Sequence, residues 1–172
     1  MRCIVICGIV LCYLFCSPET IMHNGNPWIV RAILHNFLHG NVFHLASNIM
    51  MLWLLYPNMR KHRMLIFGLS LIIATASFAV SDGDSIGLSD VLYATMGLSA
   101  LPLKSKWWQT PIAKFFLLSF LVAFLLPNIS AMTHLVSYIV GFVTARCIDK
   151  CQKLGDDYCR AGGCNTKDNK GE

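Results

Sequence analysis

Within HNFLHGNVFHLASN, residues 35–48, the chain places His35, His39, His44 and Asn48 directly before the apolar run IMMLWLLY. Imidazole ligates metals, relays protons and acts as a general base, so this stretch alone is compatible with a metal site, a proton path or a catalytic site. Two further stretches set polar groups into apolar sequence. IGLSDVLYATMG, 86–97, carries Ser89, Asp90 and Tyr93; MTHLVSYIVG, 132–141, carries His134, Ser137 and Tyr138. His44 and Asn48 are four residues apart and share one helix face, as do Ser89 and Tyr93. A serine hydroxyl is a poor nucleophile until a neighbouring base takes its proton, and His134 is a base of the right type. The tetrahedral intermediate then needs donors aimed at its oxyanion, which His44, Asn48 and the Ser89 backbone N–H could supply. Tyr93, one turn below Ser89, is expected to pack on the imidazole. These are the parts of an acyl-transfer site, and the scheme requires no carboxylate, although one would ordinarily orient the base.

The elements that must position these groups are apolar. Of the 172 residues, 55% are hydrophobic and only 13% charged, against about 25% charged in a soluble domain. This composition identifies an integral membrane protein. The net charge of +5 does not point to nucleic acid, because the basic residues are scattered between apolar runs with no aromatic-interleaved basic face. Apolar runs lie at 2–16, 42–56, 64–80, 86–103, 112–126 and 130–147, with Pro18, Pro57, Pro111 and Pro127 at their boundaries. The expectation is six transmembrane helices, most of them at or below the roughly 17–25 residues of a typical span. The first run is read as a retained helix rather than a cleaved signal, since no small-x-small site follows it.

Lysine and arginine sort to alternate ends of the spans. Arg2, Arg60, Lys61, Arg63, Lys104, Lys106, Lys114 and the basic residues from Arg146 to Lys170 fall on one side, and only Arg31 on the other. By the positive-inside rule both termini are cytoplasmic, and the segments 17–41, SDGDS and PN face outward. His35 and His39 then belong to the outward rim as packing or water-organising residues, and His44, Asn48, Ser89 and His134 lie at similar depth below it. Residues 1–150 form the membrane domain; 151–172 are polar and expected to be a disordered cytoplasmic tail. Cys3, Cys7, Cys12 and Cys16 read as buried apolar thiols. Cys147, Cys151, Cys159 and Cys164 lack a standard zinc spacing and read as free or acylated cytoplasmic thiols.

These motifs resemble the rhomboid family of intramembrane serine proteases. The spacing His35-x3-His39-x4-His44-x3-Asn48 is similar to the family's second-helix motif. Gly87-Leu88-Ser89 followed by Val91-Leu92-Tyr93-Ala94-x-Met96-Gly97 looks like the nucleophile helix, and His134 with Gly141 seven residues on looks like the sixth helix. Arg31 sits where the family has an arginine in its first outer loop. The resemblance covers residues 1–150 and implies an all-α, six-helix membrane bundle in the plasma or inner membrane. It also implies a Ser89–His134 dyad, with His44 and Asn48 at the oxyanion and Gly87, Tyr93, His35 and His39 in support. Transmembrane proteins would be cut near their outward ends, in contact with lipid, with no cofactor, metal or nucleic acid involved. Three departures stand out. Asp90 follows the serine where the family reads glycine, Ser137 replaces a common glycine, and the tryptophan usual before the loop arginine is displaced to Trp28. Two other classes compete: a catalytically silent rhomboid-like protein that binds transmembrane segments without cutting them, and a metal or proton carrier using the histidines.

Overall fold

A computed structural model of the chain describes residues 2–57, 59, 63–80, 86–99, 109–125 and 131–160. Its regular elements are all helical among these residues: α1 (Arg2–Phe15), α2 (Pro18–His23), α3 (Trp28–Leu34), a 3-10 turn (His35–Phe37), α4 (Val42–Leu55), α5 (Arg63–Ser77) with a 3-10 extension (Phe78–Val80), α6 (Ser89–Leu98), α7 (Pro111–Leu125) and α8 (Ala131–Tyr158). Each of the six apolar runs contributes one of the helices α1, α4, α5, α6, α7 and α8. The charged segments between runs at 60–62 and 100–108, SDGDS, and the PN segment lie outside the described residues.

The burial pattern is that of a protein solvated by lipid. Phe15 and Phe43 are 81% and 84% exposed, and Ile4, Ile72, Leu117 and Leu125 are also exposed, while Asp90, His35, Asn36, Thr95 and Ser137 are fully buried. Water would reverse this distribution, since large apolar side chains cluster inside soluble proteins and charged ones outside. In hydrocarbon, polar groups must instead find partners within the bundle. By length and composition α8 is long and apolar enough to cross a membrane; α1, α4, α5 and α7 are shorter apolar helices.

α6 is the centre of the bundle. All ten of its residues are buried, the state expected of a helix surrounded by other helices. Its most extensive partner among the described elements is α8, followed by α5. Two glycines make the α6–α8 contact possible. A Cβ on Gly141 would stand 2.5 Å from the Ala94 carbonyl oxygen, and one on Gly97 would collide with the backbone at Tyr138 and Phe142. Small residues let membrane helices pack backbone against backbone, where dispersion forces replace the missing hydrophobic drive. α5 adds a polar tie: the Thr95 hydroxyl donates to Ser70 Oγ at 2.8 Å, and Ser70 donates to the Ile66 carbonyl at 2.7 Å. On the opposite side Leu45, Leu52 and Leu55 of α4 pack with Leu88, Val91, Leu92 and Met96.

Three sequence expectations are corrected. The first outer segment, which carries no apolar run, is not helix-free. It folds into α2 and α3, with Pro18 at the start of α2, where its missing N–H costs nothing. The polar segment from residue 151 is helical through Tyr158, because α8 continues past the apolar run as a solvent-exposed helix with an Asp149–Lys153 pair at 3.0 Å. Cys159 is disulfide-bonded rather than a free thiol, whereas Cys147 and Cys151 are free and exposed.

Candidate active site

α4, α6 and α8 each bring polar groups to one place. Asn41 caps α4, its Oδ1 accepting the His44 N–H at 2.9 Å, and an extended N-cap residue with this bond fixes where the helix begins. His44 and Asn48 follow on the face turned toward the start of α6. There the chain makes a turn through Gly87, whose φ is +121°, a conformation that L side chains rarely adopt. The turn is tied to the outer segment by the Gly87 N–H donating to the His35 carbonyl at 2.8 Å. A Cβ at Gly87 would stand 2.6 Å from the His44 ring and 3.3 Å from Asn48 Nδ2. Glycine is thus required twice here, for its backbone conformation and for the imidazole lying against it.

Ser89 is the first residue of α6, buried, two residues beyond that turn. His134 lies in the first turn of α8. The α6–α8 glycine contact sets their relative height: Ser89 precedes Gly97 by eight residues and His134 precedes Gly141 by seven. At 1.5 Å per residue these are about 12 and about 10.5 Å, so the two side chains start at nearly the same level on helices running the same way. Tyr93 stacks on the imidazole with ring centroids 4.5 Å apart. Its own position is held by a 2.9 Å hydrogen bond to Ser119 Oγ on α7 and by the Phe116 ring at 4.8 Å.

Sequence reasoning missed the nearest polar partner of His134. Nδ1 of His134 lies 2.8 Å from Asp90 Oδ1, and no hydrogen bond joins His134 to Ser89 among the described residues. The other oxygen of Asp90 lies 3.9 Å from His35 Nε2. The signal was present in the sequence as a charged residue in the middle of an apolar run, but its partners come from segments far apart in the chain.

Of the two roles expected for the outer-segment histidines, packing and organising water, their burial supports packing. His35 is fully buried and His39 is 2% exposed, because α3 and the 3-10 turn fold them under the segment rather than over it. His35 Nδ1 donates to the Ala32 carbonyl at 2.8 Å, and its ring packs on Phe78 at 4.4 Å. His39 Nδ1 donates to the Phe37 carbonyl at 3.2 Å, which leaves Nε2 as an acceptor for the Asn48 amide at 3.0 Å. The Asn48 amide retains a second N–H. Burial, reinforced by the neighbouring His44 and opposed by the Phe37 carbonyl, pushes the His39 imidazole down to about 4. The three histidines therefore have three separate duties: His35 beside Asp90, His39 behind Asn48, and His44 against the Gly87 turn. Ser137, fully buried one turn below His134, has no hydrogen-bond partner for its hydroxyl among the described residues.

Comparison with the curated proteins gives no match. A family model described as Rhomboid domain matches residues 26–150, a span that contains α3 to most of α8 and every site residue discussed above. A buried α6 crossed by α8 through glycines, with Ser89 and His134 at one level and His44 and Asn48 facing the Gly87 turn, agrees with that match: the chain belongs to the rhomboid family.

Proposed function

We propose that the protein is an intramembrane serine protease that cuts transmembrane helices near their outward ends. Ser89 is the nucleophile, His134 the base, and His44 and Asn48 the oxyanion donors. The observation that carries this reading is the packing of His44 and Asn48 against the Gly87 turn that leads into Ser89, on a helix locked beside His134. Hydrogen-bond donors are thus gathered beside a serine at the end of a buried helix, where a developing oxyanion gains most from them. In the reaction the Ser89 hydroxyl proton passes to His134 as Oγ bonds to the scissile carbonyl carbon, whose π electrons move onto oxygen. Collapse of this intermediate breaks the C–N bond, and His134 returns the proton to the leaving amine. Water, activated by the same histidine, then hydrolyses the acyl-serine. A substrate must unwind locally to offer its carbonyl, because an intact helix keeps its backbone groups bonded internally.

The same reading includes six spans, a membrane domain over 1–150 with a polar tail over 151–172, and both termini in the cytoplasm. The tail proposal concerns location and polarity, since part of it is helical.

The absence of a Ser89–His134 hydrogen bond among the described residues, with His134 held by Asp90, favours a second reading: a family member that binds transmembrane segments without cutting them. Purified protein incubated with transmembrane substrates separates the two. Under the protease reading, Ser89→Ala and His134→Ala each reduce cleavage by roughly 10³-fold or more. Wild type that cuts several substrates no better than Ser89→Ala establishes the second reading.

A further inference from the structure

We propose that Asp90 is a positioning residue for the base: its carboxylate holds the Nδ1 proton of His134, with His35 bracing the other carboxylate oxygen. The inference rests on the protease reading above and adds a third member to its Ser-His pair.

Four observations support it. First, the Asp90 Oδ1 to His134 Nδ1 distance is 2.8 Å, and Asp90 is fully buried, so water does not compete for the bond. A carboxylate in this position accepts, so the proton resides on Nδ1 and the lone pair on Nε2, the nitrogen that must receive the serine proton. Second, Ser89 and Asp90 are consecutive in the first turn of α6. At 3.6 residues per turn their side chains leave the helix about 100° apart, so the two do not point in one direction. Third, the first turn of a helix is where a carboxylate is favoured, by the unpaired N–H groups and the macrodipole. This offsets part of the cost of burying Asp90.

Fourth, Asp90 has a second imidazole beside it. His35 Nε2 stands 3.9 Å from Oδ2. His35 cannot swing away, because its Nδ1 is committed to the Ala32 carbonyl at 2.8 Å and its ring is stacked on Phe78. Its Nε2, which has no hydrogen-bond partner among the described residues, is thereby held toward the second carboxylate oxygen of Asp90. No bond to Asp90 forms or breaks during turnover, and Asp90 exchanges no proton.

The test uses full-length purified protein: wild type, Asp90→Asn, Asp90→Gly and His35→Gln, assayed on one transmembrane substrate for kcat and KM separately. Proton NMR of histidine-labelled wild type, with the His134 signal assigned by its loss in His134→Ala, runs alongside. The expected results are a strongly downfield His134 Nδ1 proton in wild type, a roughly 10²- to 10⁴-fold fall in kcat for Asp90→Asn and Asp90→Gly at nearly unchanged KM, and a smaller fall for His35→Gln. An aspartate that merely packed the helix pair would lower stability without this kcat-only signature. Active wild type with Asp90→Asn or Asp90→Gly equally fast or faster overturns the proposal alone. Absence of the Nδ1 resonance in wild type overturns it even if both Asp90 variants fail to fold. Wild type no faster than Ser89→Ala removes the protease reading and this proposal with it.

Discussion

At the scale of single residues, several polar atoms of the site have their role assigned by a neighbour. His39 illustrates the energetic side of this. It lies in the segment before α4, and its neutral form is needed because Nε2 accepts from Asn48. Its folded-state value of about 4 is below the ordinary 6.5, so the unfolded chain binds the proton first as pH falls. The stabilisation is therefore complete above pH 6.5, declines as pH drops from 6.5, and is lost once pH passes below about 4. Its size is on the order of 2 kcal/mol. Thermal unfolding in detergent across this range should show wild type losing stability toward acid, with a flatter profile in His39→Gln. Equal slopes for the two proteins would mean that His39 does not carry the effect.

At the scale of elements, the α6–α8 contact decides whether Ser89 and His134 can meet. Gly141 lies against the Ala94 backbone, where a methyl group would need to displace main chain and not a flexible side chain. Gly141→Ala is expected to lower stability by about 1–3 kcal/mol. Under the protease reading, activity should fall further than stability alone explains, because separating the helices also separates Ser89 from His134. Unfolding and cleavage measured on the same preparation check this; an unchanged melting temperature would show that the contact tolerates a methyl group. α4 positions its residues differently, through the Asn41 cap and the bond from Asn48 to His39. Its share of the site thus depends on the outer segment as much as on helix packing.

At the scale of the whole molecule, large apolar side chains such as Phe15 and Phe43 are exposed while Asp90, His35, His39 and His134 are buried, so the bundle is a scaffold for a polar cluster in lipid. The proposed orientation is testable through a free, exposed thiol on the end of α8. In cells expressing a variant that keeps Cys151 alone, a membrane-impermeant maleimide should label the protein only after permeabilisation. Labelling of intact cells would place the end of α8 outside and reverse the proposed topology.

The sequence by itself determined the membrane class, the six apolar runs and the three motifs that carry the rhomboid resemblance. Those features are local: hydropathy is a property of a run, and His44 with Asn48, or Ser89 with Tyr93, share a face through the helical period alone. The sequence also marked Asp90 as out of place in an apolar helix, without a partner to explain it. Only the tertiary structure decided that partner, because His35 and His134 lie 55 and 44 residues from Asp90 along the chain and meet it only when the 3-10 turn after α3, α6 and α8 pack. It likewise buried His35 and His39 and revealed α2 and α3 in the first outer segment. The opening stretch of histidines was legible as chemistry from its residue types. Which imidazole lies near a carboxylate, which holds an amide and which faces the Gly87 turn depended on distances that no spacing along the chain encodes.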